Sequence, residues 1–172
     1  MKSTARVVVI GGGVVGCSVL YHLTKKGWRD VLLLEREQLT AGSTWHAAGG
    51  FHTLNGDPNV AMLQSYTAGL YKELEEISGQ SCGLHLSAGL MLADTTARME
   101  FLKGTVAKGR YLGMQCEMIS LREALDYFPF IDERHFVGAM PDPNEGHLDL
   151  SGTPHAYAKA ARLGGASIEL NT

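Results

Sequence analysis

The run Val7-Val8-Val9-Ile10 breaks into Gly11-Gly12-Gly13 and resumes through Val14, Val15 and Gly16. This order constrains the chain more than any other stretch, because it calls for a strand, a tight turn and a helix in immediate succession. Gly11 permits the turn, Gly13 lets the backbone approach a pyrophosphate with no Cβ in the way, and Gly16 lets the helix lie close on the strand. Phosphates would rest on the helix N-terminus, where free N–H groups and the dipole favour anions. With 21 glycines in 172 residues the spacing can arise by chance, so the flanking sequence has to decide.

The flanks agree with the motif. Val15, Val19, Leu20 and Leu23 are expected on one side of the helix, with Lys25 and Lys26 in its last turn and Gly27 as its stop. Val31-Leu32-Leu33-Leu34 then reads as a fully buried parallel strand. Glu35 closes it, roughly 20 residues after Gly16, where a carboxylate accepts the hydroxyls of an adenosine ribose.

Composition bounds the class. The chain is 45% hydrophobic and 19% charged, as an ordinary globular domain is. A net charge of −3 without a Lys/Arg block gives no field for nucleic acid. Cys17, Cys82 and Cys116 are too few and too scattered for a disulfide framework or a zinc site, and no metal site is expected. A reduced, cytoplasmic setting fits best. No apolar stretch reaches membrane-spanning length, since the one from Val7 to Tyr21 is cut by glycines.

A nicotinamide-binding domain would run from Glu35 through a helix into its third strand. Residues 36–50 depart from this: Arg36 leads into Gly42-Ser43-Thr44-Trp45-His46-Ala47-Ala48-Gly49-Gly50, small residues with little apolar periodicity. The segment reads as backbone laid against a long ligand. Glycines allow close approach, Ser43 and Thr44 offer hydroxyls, and Trp45 is expected to be buried there. Taken alone, His46 reads as a hydrogen-bonded structural histidine.

Val7–Gly16, Leu33-Leu34-Glu35 and the Gly42–Gly49 segment together resemble the N-terminal region of the dimethylglycine dehydrogenase and sarcosine dehydrogenase family, FAD-dependent enzymes of the D-amino-acid-oxidase-like fold. The resemblance extends through Leu74–Gln80 and Asn144–Asp149, with Leu150 standing where relatives commonly have Pro. It implies that His46 is joined covalently to the flavin, that Val14 and Val15 lie under the pyrophosphate, that Glu35 and Arg36 meet the adenosine, and that Gly42 to Gly50 follow the rest of FAD. An imidazole on the flavin's 8α carbon would make the ring easier to reduce and fix its position.

Further along, Asp57-Pro58 opens a helix to Ser78, with Val60, Leu63, Thr67, Leu70, Leu74 and Ile77 as its core stripe and Gly79 as its stop. A strand pair is expected over 84–93, a helix over 96–109, a strand over 115–119, a helix capped by Ser120 and Glu123, and a strand over 136–140. Ser151 should cap a helix through Arg162, and 166–170 should form the third strand of the dinucleotide sheet. The expected architecture is α/β: a Rossmann-like FAD-binding fold made of 5–50 and 146–172, with an α+β substrate domain begun at 51–145 and truncated at the C-terminus. Catalytic residues, and any tetrahydrofolate-binding domain, would lie outside these residues.

The implied activity is oxidative demethylation of a small N-methylated amine. Electrons would pass to an electron-transferring flavoprotein or to oxygen, in the cytoplasm or, in a eukaryote, the mitochondrial matrix. Two alternatives stand beside it: a regulatory flavin-binding relative without turnover, and a nicotinamide-dependent dehydrogenase. His46 speaks against the first and the long insertion against the second.

Overall fold

The computed structural model describes residues 4–172. In chain order its elements are β1 (Val7–Ile10), α1 (Val14–Lys25), β2 (Val31–Leu34), β3 (Gly50–Phe51), α2 (Pro58–Ser78), β4 (Gly89–Ala93), α3 (Thr96–Tyr111), α4 (Leu121–Tyr127), β5 (Gly138–Asp142), β6 (Gly146–His147), α5 (Gly152–Leu163) and β7 (Ser167–Glu169). They form two units. One holds the residues up to Gly49 with Gly69–Leu84 and His147–Thr172, and the other holds Gly50–Ala68 with His85–Gly146. Residues 69–84 lie inside the range expected to be inserted, yet they pack with the first unit.

That first unit carries a parallel sheet in the order β1-β2-β7. Val7 to Ile10 pair with Val31 to Leu34, and Leu32 to Leu34 pair with Ser167 to Glu169. The expected third strand is therefore present. Helices α1 and α5 pack against each other, and the alanines at 156, 160 and 161 let the backbones approach closely around buried Leu20, Leu33, Leu74 and Tyr157. The second unit pairs β4 antiparallel with β5, Gly89 opposite Asp142 and Ala93 opposite Gly138. Its core joins Leu102, Val106, Ala93 and Met140, flanked by Met91, Met99 and Met118.

Several expectations need correction. The buried face of α1 is Cys17, Leu20, Tyr21 and Thr24, whereas Val15 is 73% exposed and Val19 is exposed too. The helix is apolar nearly all round, so periodicity admits two faces, and Thr24 can be buried because its hydroxyl donates to the Tyr21 carbonyl at 2.7 Å. In α2, Asp57 caps as expected, Oδ1 accepting from the Asn59 and Val60 N–H groups. Its stripe does not hold along its length: Leu70, Tyr71, Leu74 and Ser78 are buried, but Leu63 is 63% exposed and Val60 and Ile77 are exposed.

The strand pair expected over 84–93 is a single strand, β4. Ala88 has φ 59°, which breaks the extended run before Gly89, and the partner is the distant β5. Residues 115–119 contribute one bridge, Ile119 to Ala139, rather than a strand. The strand expected over 136–140 is shifted to Gly138–Asp142. Ser120 and Glu123 form both halves of the capping box. Ser151 occupies the N-cap of α5, but its side chain makes no cap bond; the Asp149 carboxylate accepts the Ser151 N–H at 2.8 Å instead. Among the described residues no helix is long and apolar enough to cross a membrane, and no group of three or more His, Cys, Asp or Glu is placed to hold a metal ion.

Candidate functional site

The glycines of the β1–α1 turn answer to different constraints. Gly11 has φ 104°, a conformation other residues rarely adopt, and its N–H donates to the Leu34 carbonyl at 2.8 Å. A Cβ on Gly16 would stand 1.9 Å from the Gly11 carbonyl oxygen, so only glycine lets α1 settle on the turn. A Cβ on Gly12 would meet Leu39 Cδ2 at 2.7 Å. A Cβ on Gly13 would lie 2.9 Å from Thr44 Oγ1, so the space expected to be kept clear for a pyrophosphate is shared with a side chain of this protein.

At the start of α1, Val14 N–H donates to Thr44 Oγ1 at 3.0 Å, and the first helical bond runs from Cys17 N–H to the Gly13 carbonyl. Among the described residues the N–H groups of Val15 and Gly16 meet no acceptor. No acidic side chain stands in this first turn. These unpaired donors make a local site for an anion.

Glu35 leaves β2 with both carboxylate oxygens engaged: Oε2 accepts the Gly12 N–H at 2.6 Å and Oε1 the Glu37 N–H at 2.9 Å. These donors, Gly12 foremost, hold its pKa below the usual carboxylate range, so it is ionised at neutral pH. Each oxygen keeps a lone pair for a further donor. The exposed Arg36–Glu37 contact, 3.5 Å, contributes little.

The segment after Glu35 folds back onto the turn. Leu39 is buried against Gly12, and Thr40, at φ 72°, donates its N–H to the Gly12 carbonyl at 3.0 Å. Ser43–His46 form one 3-10 turn. His46 Nδ1 lies 3.1 Å from the Gly42 carbonyl oxygen. A carbonyl only accepts, so Nδ1 carries the proton in that bond and the neutral ring keeps its lone pair on Nε2.

A cavity of about 570 Å³ opens beside these groups. Of the residues singled out in the sequence, Gly11, Gly13, Val14, Val15, Gly16, Glu35, Arg36, Gly42, Ser43 and Thr44 line it together. Trp45, His46, Ala47, Ala48, Gly49 and Gly50 do not. Trp45 is 62% exposed, contrary to the expected burial, because the 3-10 turn directs only Thr44 toward α1. Gly49, at φ 78°, instead accepts the Leu148 N–H, and Gly50 begins the second unit. Val9, Ile10, Val19, Glu37 and Ala41 also line the cavity and were not among the expected cofactor residues. A helical step from Val15 would have found Val19.

Residues 6–172 match the family model described as FAD dependent oxidoreductase. The chain belongs to that family. Human mitochondrial sarcosine dehydrogenase is 37% identical over 169 residues, 98% of this chain and 18% of that protein. Human mitochondrial dimethylglycine dehydrogenase is 35% identical over 168 residues, 98% of this chain and 19% of its own length. The mouse mitochondrial pyruvate dehydrogenase phosphatase regulatory subunit is 33% identical over 168 residues, again 98% of this chain and 19% of that protein. The chain thus spans about a fifth of the length of these relatives. In fold it matches the crystal structure of L-proline dehydrogenase from P. horikoshii, with TM-score 0.90 at 24% identity, covering 99% of this chain and 45% of that one. Membership in an FAD-dependent family sets the nicotinamide alternative aside.

Proposed function

We propose that this chain supplies the adenosine, pyrophosphate and attachment sites of a flavoenzyme that oxidises the C–N bond of a small N-methylated amino acid. The observation that carries the reading is the single cavity on which the glycine turn, the ionised Glu35 and the Gly42–Thr44 segment converge. The residues fit FAD. The Val15 and Gly16 N–H groups suit the pyrophosphate, Glu35 accepts the ribose hydroxyls, Arg36 borders the adenosine, and Gly42, Ser43 and Thr44 border the remainder.

FAD bound there would supply the acceptor for the hydride from the carbon beside the amine nitrogen, with water or tetrahydrofolate as the class of acceptor for the one-carbon unit. His46 carries the flavin through Nε2, the nitrogen left free by the Nδ1 contact to Gly42. Attachment there would replace one C8α–H, with the proton leaving to solvent and the electron pair to dioxygen. An electron-transferring flavoprotein or oxygen accepts the electrons of turnover. The compartment is the cytoplasm, or in a eukaryote the mitochondrial matrix.

The regulatory relative, about as similar as the two dehydrogenases, favours a second reading in which flavin is bound without turnover. Acid precipitation and tryptic digestion of the full chain test the covalent role of His46. Flavin absorbance is expected on the peptide containing His46, and His46→Ala should release all of its flavin. If the wild-type protein surrenders its colour completely to the acid supernatant, the covalent role is wrong, and the regulatory or noncovalent flavoprotein readings move ahead.

A further inference from the structure

The 3-10 turn that bears His46 is tied together internally but held to α1 at one point. Its internal bonds run from His46 Nδ1 to the Gly42 carbonyl and from Ala47 N–H to the Thr44 carbonyl. Among the described residues its hydrogen bond to the helix is the one from Val14 N–H to Thr44 Oγ1, across 30 positions of sequence. The same hydroxyl occupies the space a Cβ on Gly13 would need.

We infer that Thr44 is the positioning residue that seats the His46 turn on the N-terminus of α1, and that Gly13 is glycine in order to admit it. The inference rests on the proposed attachment at His46 and adds what holds that imidazole in place. His46 follows Thr44 by two residues within one turn, so an anchor at Thr44 sets how far the imidazole stands from the helix. The hydroxyl also consumes the Val14 N–H, which leaves Val15 and Gly16 as the donors for an anion. Thr44 is only partly buried, so exchanging its hydroxyl for a methyl removes the bond without disturbing the core.

The test is the rate at which the full chain, produced under riboflavin depletion, attaches added FAD covalently, read as flavin fluorescence on acid-denatured protein. FAD is held at saturation, so that weaker binding does not masquerade as slower attachment. Thr44→Val, which is isosteric but accepts no hydrogen bond, should slow attachment about tenfold or more, the scale of a misplaced reacting group. Thr44→Ser should restore the wild-type rate. The pH profile of the residual rate should keep its shape, since the imidazole is unaltered. Gly13→Ala should also slow attachment, and by much less in a Thr44→Ala background, where no Oγ1 opposes the new Cβ.

Attachment by Thr44→Val at the wild-type rate overturns the anchor while leaving His46 in its role. An equal Gly13→Ala penalty in both backgrounds overturns the account of Gly13. Absence of covalent flavin in the wild type overturns the attachment and the anchor together. Should Thr44→Val fail to fold, judged by circular dichroism, Thr44→Ser against Thr44→Ala decides by the same criterion.

Discussion

Replacing Glu35 by Ala removes the acceptor of two backbone N–H groups at once, those of Gly12 and Glu37, at 2.6 and 2.9 Å. Hydrogen bonds to a charged group contribute about 1.5–3 kcal/mol each. The site is partly open, so water takes over some of this, and we expect a net loss of about 2 kcal/mol for the apoprotein, within the range of one such bond. For a cooperative unit of this size that corresponds to a fall in Tm of roughly 4–8 °C. Glu35→Gln offers one oxygen to two donors and should fall between wild type and Ala.

The pH dependence fixes the sign. The folded-state pKa of Glu35 lies below its unfolded value, so its contribution is full above about pH 4.3 and is lost as pH falls through the folded value. Melting curves followed by circular dichroism should therefore show the full gap between wild type and Glu35→Ala at pH 7 and a shrinking gap below about pH 4. Equal midpoints at pH 7, or a gap that widens in acid, would refute the reasoning. In a His46→Ala background, where FAD binds reversibly, Glu35→Ala should also weaken binding by about 1.5–3 kcal/mol; unchanged affinity would make Glu35 a structural acid only.

Two further outcomes follow from the same turn. Gly16→Ala places a Cβ 1.9 Å from the Gly11 carbonyl oxygen, so the backbone must shift, at a cost of about 1–3 kcal/mol, and flavin retention on gel filtration should be lost; normal retention would show that the helix can slide at no cost. Burial pushes the Cys17 thiol up to about 12, so iodoacetamide at neutral pH should label Cys17 only after unfolding, and labelling of the native protein in a mass-spectrometric time course would contradict its burial.

The sequence made the dinucleotide turn legible because its constraints are local. Gly11, Gly16 and Glu35 act on backbone within a short span, and β1 and β2 announce themselves as short apolar runs, whereas β7 carries one apolar residue, Ile168, between Ser167 and Glu169. Thr44 stood out only as a hydroxyl in a glycine-flanked segment. Its bond to Val14, and the demand it places on Gly13, depend on how residues 36–43 fold back, which no periodicity encodes. The faces of α1 and α2 were misjudged for a related reason. Both helices carry more apolar residues than one stripe can hold, and the buried stripe is chosen by what packs beside them. In the second unit, the left-handed Ala88 ends one strand of the expected pair, and residues 115–119 keep only the bridge from Ile119 to Ala139.

The parallel pairing of β2 with β7 joins a strand that ends at Leu34 to one that begins at Ser167. During synthesis β2 emerges long before its neighbour exists, and a whole second unit must leave the ribosome in between. Closing so long a stretch of chain costs entropy that grows only slowly with its length, but the contacts that repay it come late. Acquisition of the sheet is therefore a slow kinetic event, later than the collapse of α1 onto its own strand. Until then Leu32 and Leu33, buried in the finished sheet, lack the cover that β7 and its helix bring.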